Sequence, residues 1–254
     1  MSRRSDRTYR AVVRCFAIVF RLLGLRPSVS GEEHLPRTGA AVVAINHVGF
    51  LDFTFVGYAA RERGRYVRFM SKKSVFDLPV AGWLMRRMRH VSVDRGSGAS
   101  AYIDARRKLA AGEVVGVFPE ATISRSWRLK PFRPGAAGLA IACGVPVVPC
   151  IVWGSQRVLT VDGRRTLRRG TAVTITLGPP LQPQEGETVA GLTSRLHVAM
   201  EELLDEAVDA YPQAPRDDAD RWWVPHDRGG SAPDLETAAR LDREALARIG
   251  VEMD

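Results

Sequence analysis

The sequence predicts an α/β fold: a single-domain, mostly parallel or mixed sheet flanked by helices, with an N-terminal amphipathic membrane helix and a C-terminal helical extension. Three observations carry this. Short apolar runs of strand length alternate with stretches of helical periodicity. Turn signals, Gly-Val-Pro at 144–146 and Gly-Pro-Pro at 178–180, separate them. The 254 residues, 45% hydrophobic, are enough for one large core without disulfides or a structural metal.

Six runs read as strands: residues 40–45, 66–70, 90–94, 114–118, 145–153 and 171–177. Between them lie a helix begun near Asp52 and running to residue 63, a helix over 80–88 after Pro79, one over 99–110 stopped by Gly112, and one over 136–142 stopped by Gly144. Beyond Pro183 the pattern changes. Residues 188–210 form a long amphipathic helix carrying Leu192, Leu196, Ala199, Leu203 and Val208. Residues 211–233 are irregular and hold Trp222-Trp223, and a last helix covers 233–249. The expected organisation is an interfacial helix over 1–29, an α/β core over 30–185 and a helical extension over 186–254.

The N-terminal segment decides how the chain meets a membrane. Arg10, Arg14 and Arg21 interrupt the apolar residues of 8–25, and the longest unbroken apolar run, 15–20, is far short of the ~20 residues of a spanning helix. No small-residue cleavage site follows, so a secretion signal is not expected. A basic amphipathic helix lying in the membrane interface fits the pattern, with packing on the domain's own core as the competing possibility.

Charge points to an anionic partner. The chain has 33 Arg and 4 Lys against 28 acidic residues, a formal net charge of +9. This surplus suits an anionic lipid surface or a phosphorylated substrate. There is no helix-turn-helix, zinc pattern or aromatic-interleaved basic stripe, so nucleic acid is not an expected partner. Cys15, Cys143 and Cys150 lack metal-ligand spacing and read as reduced thiols in a cytoplasmic compartment. Neither a metal site nor a cofactor is expected.

In open α/β sheets ligands bind beyond the carboxyl ends of the strands. Asn46, His47 and Asp52 follow the first run, Asp94 and Arg95 the third, Glu120 and Thr122 the fourth, and Gly154, Ser155 and Gln156 the fifth. A basic loop, Arg125, Arg128, Lys130 and Arg133, follows Glu120. A histidine oriented by a carboxylate is the usual general base for a hydroxyl. The His-x4-Asp pair is weak by itself, since this composition supplies roughly 0.3 such pairs by chance. Together these residues make a rim that can hold an anion and deprotonate a hydroxyl.

Two rivals are poorly supported. Gly96-Ser-Gly98-Ala-Ser-Ala101 matches a dinucleotide fingerprint, but Asp94-Arg95 separates it from its strand, which is not the first of the sheet. No Gly-x-Ser-x-Gly elbow exists, so a covalent acyl-serine is not expected.

Four blocks recur in order: Asn46-His47-x4-Asp52, Val91-Ser-Val-Asp94-Arg95, Phe118-Pro119-Glu120-Ala-Thr122 and Val145-Pro146-Val-Val-Pro149. Over about residues 30–180 the chain resembles the glycerolipid acyltransferases related to 1-acylglycerol-3-phosphate acyltransferase. The resemblance implies an α/β domain held at the cytoplasmic face of a membrane. The implied reaction moves an acyl chain from an acyl-CoA or acyl-carrier-protein thioester to the free hydroxyl of a lysophospholipid, 1-acylglycerol-3-phosphate giving phosphatidic acid. His47 is then the base and Asp52 its orienter, while Asn46, Arg95, Glu120, Thr122, Arg125, Arg128 and Lys130 bind substrate. A non-catalytic membrane adaptor on the same scaffold is the alternative of another class.

One position departs from the pattern. The family's third block usually ends Glu-Gly-Thr-Arg, whereas this chain has Glu120-Ala121-Thr122-Ile123. The resemblance gives that Arg to the acceptor phosphate, and losing such a charge-assisted contact costs roughly 1.5–3 kcal/mol. Either Arg125 or Arg128 replaces it, or the acceptor is another lysophospholipid or glycerol phosphate.

Overall fold

The computed structural model describes residues 3–94, 98–166 and 168–248. Among these, seven strands form one mixed sheet in the order β1-β7-β6-β2-β5-β3-β4. The strands are β1 (Arg26–Ser30), β2 (Ala41–Ile45), β3 (Val67–Lys72), β4 (Val91–Val93), β5 (Val114–Val117), β6 (Val147–Trp153) and β7 (Ala172–Leu177). The helices are α1 (Arg3–Leu22), α2 (Asp52–Ala60), α3 (Lys73–Asp77), α4 (Pro79–Arg87), α5 (Gly98–Ala110), α6 (Gly135–Cys143), α7 (Val189–Asp209) and α8 (Leu235–Arg248).

Every residue of β2 and β6 is buried. This is why they read as continuous apolar runs: helices cover both faces of the sheet, so both side-chain rows lie in a core. Val42 and Ala44 face α5, α6 and α7 together with Leu192, Leu196 and Met200. Ala41, Val43 and Ile45 face α2 and the end of α1 with Phe20, Phe55 and Val56. The long helix assigned by the sequence to the C-terminal extension thus buries its apolar row in the sheet's own core.

Strands β2 to β6 run parallel, whereas β7 is antiparallel to β6 and β1 is parallel to β7. Strand β1 was not expected. Its sequence, Arg-Pro-Ser-Val-Ser, has a single branched apolar residue, and it alternates between exposed and half-buried positions. A sheet edge accepts such a strand, and a proline, because one row of backbone groups needs no partner. The sheet therefore begins at Arg26, and the expected boundary between residues 29 and 30 falls within β1. Helix α3 was also unassigned by periodicity, being only five residues long.

Helix α1 packs on the domain along one side. The Tyr9 hydroxyl donates to the Val67 carbonyl at 3.0 Å, and Phe20 stacks on Phe55 with ring centroids 4.4 Å apart. Its other side presents Ile18 and Leu22, 60% and 68% exposed. No described helix is long and apolar enough to cross a membrane.

At the end of the sheet where β3 starts, the Arg68 guanidinium is 1% exposed. It pairs with Glu113, donates to the Met88 carbonyl at 2.9 Å and reaches Asp6 of α1 at 3.2 Å. Glu113 also pairs with Arg89. Removing one member of a buried ion pair leaves an uncompensated charge. Glu113→Ala is therefore expected to lower stability by about 3–5 kcal/mol, measured by urea unfolding; a loss below about 1 kcal/mol contradicts this role.

Candidate active site

The site grows from the turn between β2 and α2. Strand β2 ends at Ile45, and Asn46 extends the ladder with its side chain: Oδ1 accepts from the Val152 N–H at 2.7 Å and Nδ2 donates to the Val152 carbonyl at 3.1 Å. Asn46 is 1% exposed and both amide atoms are spent on β6. It was expected to bind substrate; its amide is engaged in closing the β2–β6 seam beside His47.

Asp52, the first residue of α2, is fully buried. Its Oδ2 accepts from His47 Nδ1 and from the backbone N–H groups of Val48 and Gly49, each at 2.9 Å. Its Oδ1 accepts from the Ser155 hydroxyl at 2.5 Å. A carboxylate in the first helical turn also suits the positive end of the helix dipole. With Nδ1–H donating to Asp52, the bare lone pair of the neutral imidazole is on Nε2. The His47 side chain is 21% exposed, and its ring lies 4.5 Å from that of Phe118.

Glu120 holds the next loop to this turn. Its Oε1 accepts from the His47 N–H at 2.8 Å and its Oε2 from the Lys130 N–H at 3.0 Å. The Ser124 N–H donates to the His47 carbonyl at 2.7 Å, so both backbone groups of His47 are tied to the 118–130 loop. Glu120 was expected to position substrate. It is 5% exposed with both oxygens engaged by backbone, which makes it a clamp between two loops. Burial pushes its carboxyl up to about 8, against the two backbone donors that favour the charged form.

The basic loop divides. Lys130 Nζ donates to Thr122 Oγ1 and pairs with Asp242 of α8, both at 2.5 Å. Arg125 reaches the same Asp242 at 3.0 Å and also pairs with Asp162. Thr122, Arg125 and Lys130 thus converge beside the His47 turn. Arg128 does not join them: it is held by Asp205 of α7 at 2.6 Å and by Asp227, and these carboxylates raise its guanidinium pKa further. Arg95 lies outside the described residues. Ile123 is 7% exposed and packs in the core with Val48 and Trp127. The 120–124 loop therefore turns position 123 inward, and Ala121 takes the left-handed conformation (φ 62°) where the family pattern has glycine.

Sequence reading missed two participants. Ser155 was noted at a strand end but given no role, because a lone serine there carries no signal. Asp242 is 112 positions from Lys130, and no local spacing connects them. Among the described residues no group of three or more His, Cys, Asp or Glu is arranged to hold a metal ion. The remaining histidines stand apart. His90 is buried and accepts from the Phe69 N–H at 3.0 Å, and burial, aided by Arg68 and Lys108, pushes its pKa down to about 3.

The Glu120 carboxyl gives a pH signature. Its folded-state pKa lies above the ordinary 4.5, so the folded protein keeps a proton that the unfolded chain loses. Its contribution to stability therefore declines as pH rises from about 4.5 to about 8. In Glu120→Gln that part of the decline should vanish, as read from melting temperature against pH; an identical slope in both proteins refutes it.

Known proteins resemble this chain in sequence and in fold. Residues 26–153 match the family model for the Acyltransferase domain. A chloroplastic 1-acyl-sn-glycerol-3-phosphate acyltransferase of Brassica napus is 33% identical over 150 residues, covering 57% of this chain and 42% of that protein. A 1-acyl-sn-glycerol-3-phosphate acyltransferase of Chlamydomonas reinhardtii is 33% identical over 192 residues, 73% of this chain and 56% of that one. The chain thus spans about half the length of these curated relatives. The crystal structure of the 1-acyl-sn-glycerophosphate acyltransferase PlsC from Thermotoga maritima shares the fold, with a TM-score of 0.69, 20% identity and 81% coverage of both chains. The family match takes in half of the chain and the His47–Asp52 and Glu120 loops alike, and the chain belongs to the acyltransferase family.

Proposed function

We propose that this protein transfers a fatty acyl chain from a thioester donor, acyl-CoA or acyl carrier protein, to the free hydroxyl of a lysophospholipid, with 1-acylglycerol-3-phosphate as the favoured acceptor and phosphatidic acid as product. The observation that carries this reading is the His47–Asp52 pair, a partly exposed imidazole oriented through Nδ1 by a buried carboxylate. His47 Nε2 takes the proton of the acceptor hydroxyl as its oxygen attacks the thioester carbonyl. The C–S bond then breaks, and the departing thiolate recovers the proton from the imidazolium. Asp52 holds the tautomer and stabilises the cation, as a carboxylate does in Ser-His-Asp hydrolases. Here the substrate hydroxyl takes the place of a protein nucleophile.

Thr122, Arg125 and Lys130 are the phosphate-binding candidates beside His47, and an acceptor phosphate would compete there with Asp242 and Asp162. One observation favours a second acceptor class, another lysophospholipid or glycerol phosphate: the position of the family's phosphate ligand is Ile123, turned into the core.

The same rim is suited to an anionic lipid surface. Phe50 follows β2, and Leu78, Val80 and Trp83 follow the parallel strand β3; all four are more than half exposed. Helix α1 starts near Arg68, at the opposite end of the sheet, and ends where β1 begins. Its exposed Ile18 and Leu22 therefore lie on the His47 rim. An apolar collar around the substrate mouth, on a chain of net charge +9, fits a peripheral protein at the cytoplasmic face of a membrane.

The deciding assay pairs a panel of lysophospholipids and glycerol phosphate with acyl-CoA and acyl-carrier-protein donors, reading products by mass spectrometry. His47→Ala should lose at least about 100-fold in turnover with an unchanged circular dichroism spectrum; retention of more than a tenth of the activity refutes the base assignment. For the membrane, the double variant Leu22→Ser with Trp83→Ala should bind anionic vesicles at least about tenfold more weakly by sedimentation, and unchanged binding removes this rim as the docking face.

A further inference from the structure

The catalytic turn rests on a segment beyond the stretch that matches the family. Strand β6 ends at Trp153, and Gly154 turns the chain at φ 91°, where an added Cβ would lie 2.3 Å from the Ala172 carbonyl oxygen. Only glycine fits there. The turn delivers Ser155, which is fully buried, beneath Asp52.

The segment is also held by contacts that do not use the Ser155 hydroxyl. Its backbone carbonyl accepts from the Val158 N–H at 2.9 Å. The segment is fastened to the catalytic turn by the Phe50 N–H, which donates to the Leu159 carbonyl at 3.1 Å, and by the Thr160 hydroxyl, which donates to the Val48 carbonyl at 2.7 Å. Gly49 packs so closely that a Cβ there would lie 3.0 Å from the Ser155 carbonyl oxygen.

The hydroxyl is directed elsewhere. Three donors, from His47, Val48 and Gly49, converge on Asp52 Oδ2. Ser155 is the donor to Oδ1, in a place with no solvent exposure. Without it, a buried carboxylate oxygen loses its partner, and the carboxylate gains by rotating Oδ1 toward other donors, away from the alignment with Nδ1.

We infer that Ser155 is a positioning residue for acyl transfer, acting through Asp52 to hold the His47 imidazole in its reactive orientation. This rests on the proposed role of His47 as base, and the test separates the two. Ser155→Ala and the near-isosteric Ser155→Cys, which keeps the bulk but has only a weak donor, are compared with Ser155→Thr, which keeps the hydroxyl. Turnover is measured with acyl-CoA and 1-acylglycerol-3-phosphate. The hydrogen-bonded Nδ1–H of His47 is followed by NMR on histidine-labelled protein, whether or not the protein turns over.

The expected result is a fall in kcat of about tenfold in the Ala and Cys variants, with KM for both substrates within twofold of the parent. Their Nδ1–H resonance should be shifted or lost to exchange, and Ser155→Thr should restore both readouts. An unchanged Nδ1–H resonance in folded Ser155→Cys overturns the inference, as does a parental kcat in both loss-of-donor variants. If the parent protein is inactive on every acceptor, the proposed function fails, while the Nδ1–H resonance still decides whether Ser155 orients the pair.

Discussion

The site depends on one buried carboxylate. Asp52 is shut away from solvent and accepts four hydrogen bonds, two of them from consecutive N–H groups of its own turn. A charge in such a place is tolerable only when its lone pairs are met. Meeting them defines the turn: Val48 and Gly49 must bend their N–H groups inward, α2 must start at Asp52, and His47 must be left at the mouth. The imidazole orientation and the path of the chain out of β2 thus follow from one constraint.

A second carboxylate joins this turn to the next. Glu120 binds the backbone of His47 with one oxygen and that of Lys130 with the other, ten residues further along the chain from Glu120. His47 and the cationic loop are therefore one mechanical unit, although they follow different strands, β2 and β5. The raised Glu120 pKa marks the burial that this junction entails. The acidic residue of the third motif block thus engages the protein's own backbone with both oxygens.

The cations near the mouth are balanced from the C-terminal part of the chain. Asp242 of α8 meets both Arg125 and Lys130, while Asp205 and Asp227 draw Arg128 away. Helix α7 belongs to the same core as the sheet, and the 222–223 segment is tied in by the Trp127 indole N–H, which donates to the Trp222 carbonyl at 2.9 Å. The charge beside His47 is therefore set jointly by the loop after β5 and by helices far along the sequence.

Much was legible without coordinates. The central strands stood out because burial on both faces leaves an unbroken apolar run, and β2 and β6 have it. His47 and Asp52 were legible because their contact spans one turn, a distance that local spacing encodes. Strand β1 was not, since an edge strand needs few apolar residues, and neither were the contacts of Asn46 and Glu120, whose partners lie on another strand and on another loop. The sequence by itself determined the α/β class, the order of the central strands' motifs and the pairing of His47 with Asp52, because these rest on periodicity and short-range contacts. Only the tertiary structure decided that Ser155 supports Asp52, that Asp242 faces Lys130 and that Ile123 turns inward. Such pairings join residues distant in the chain and depend on how the sheet and its loops close in space.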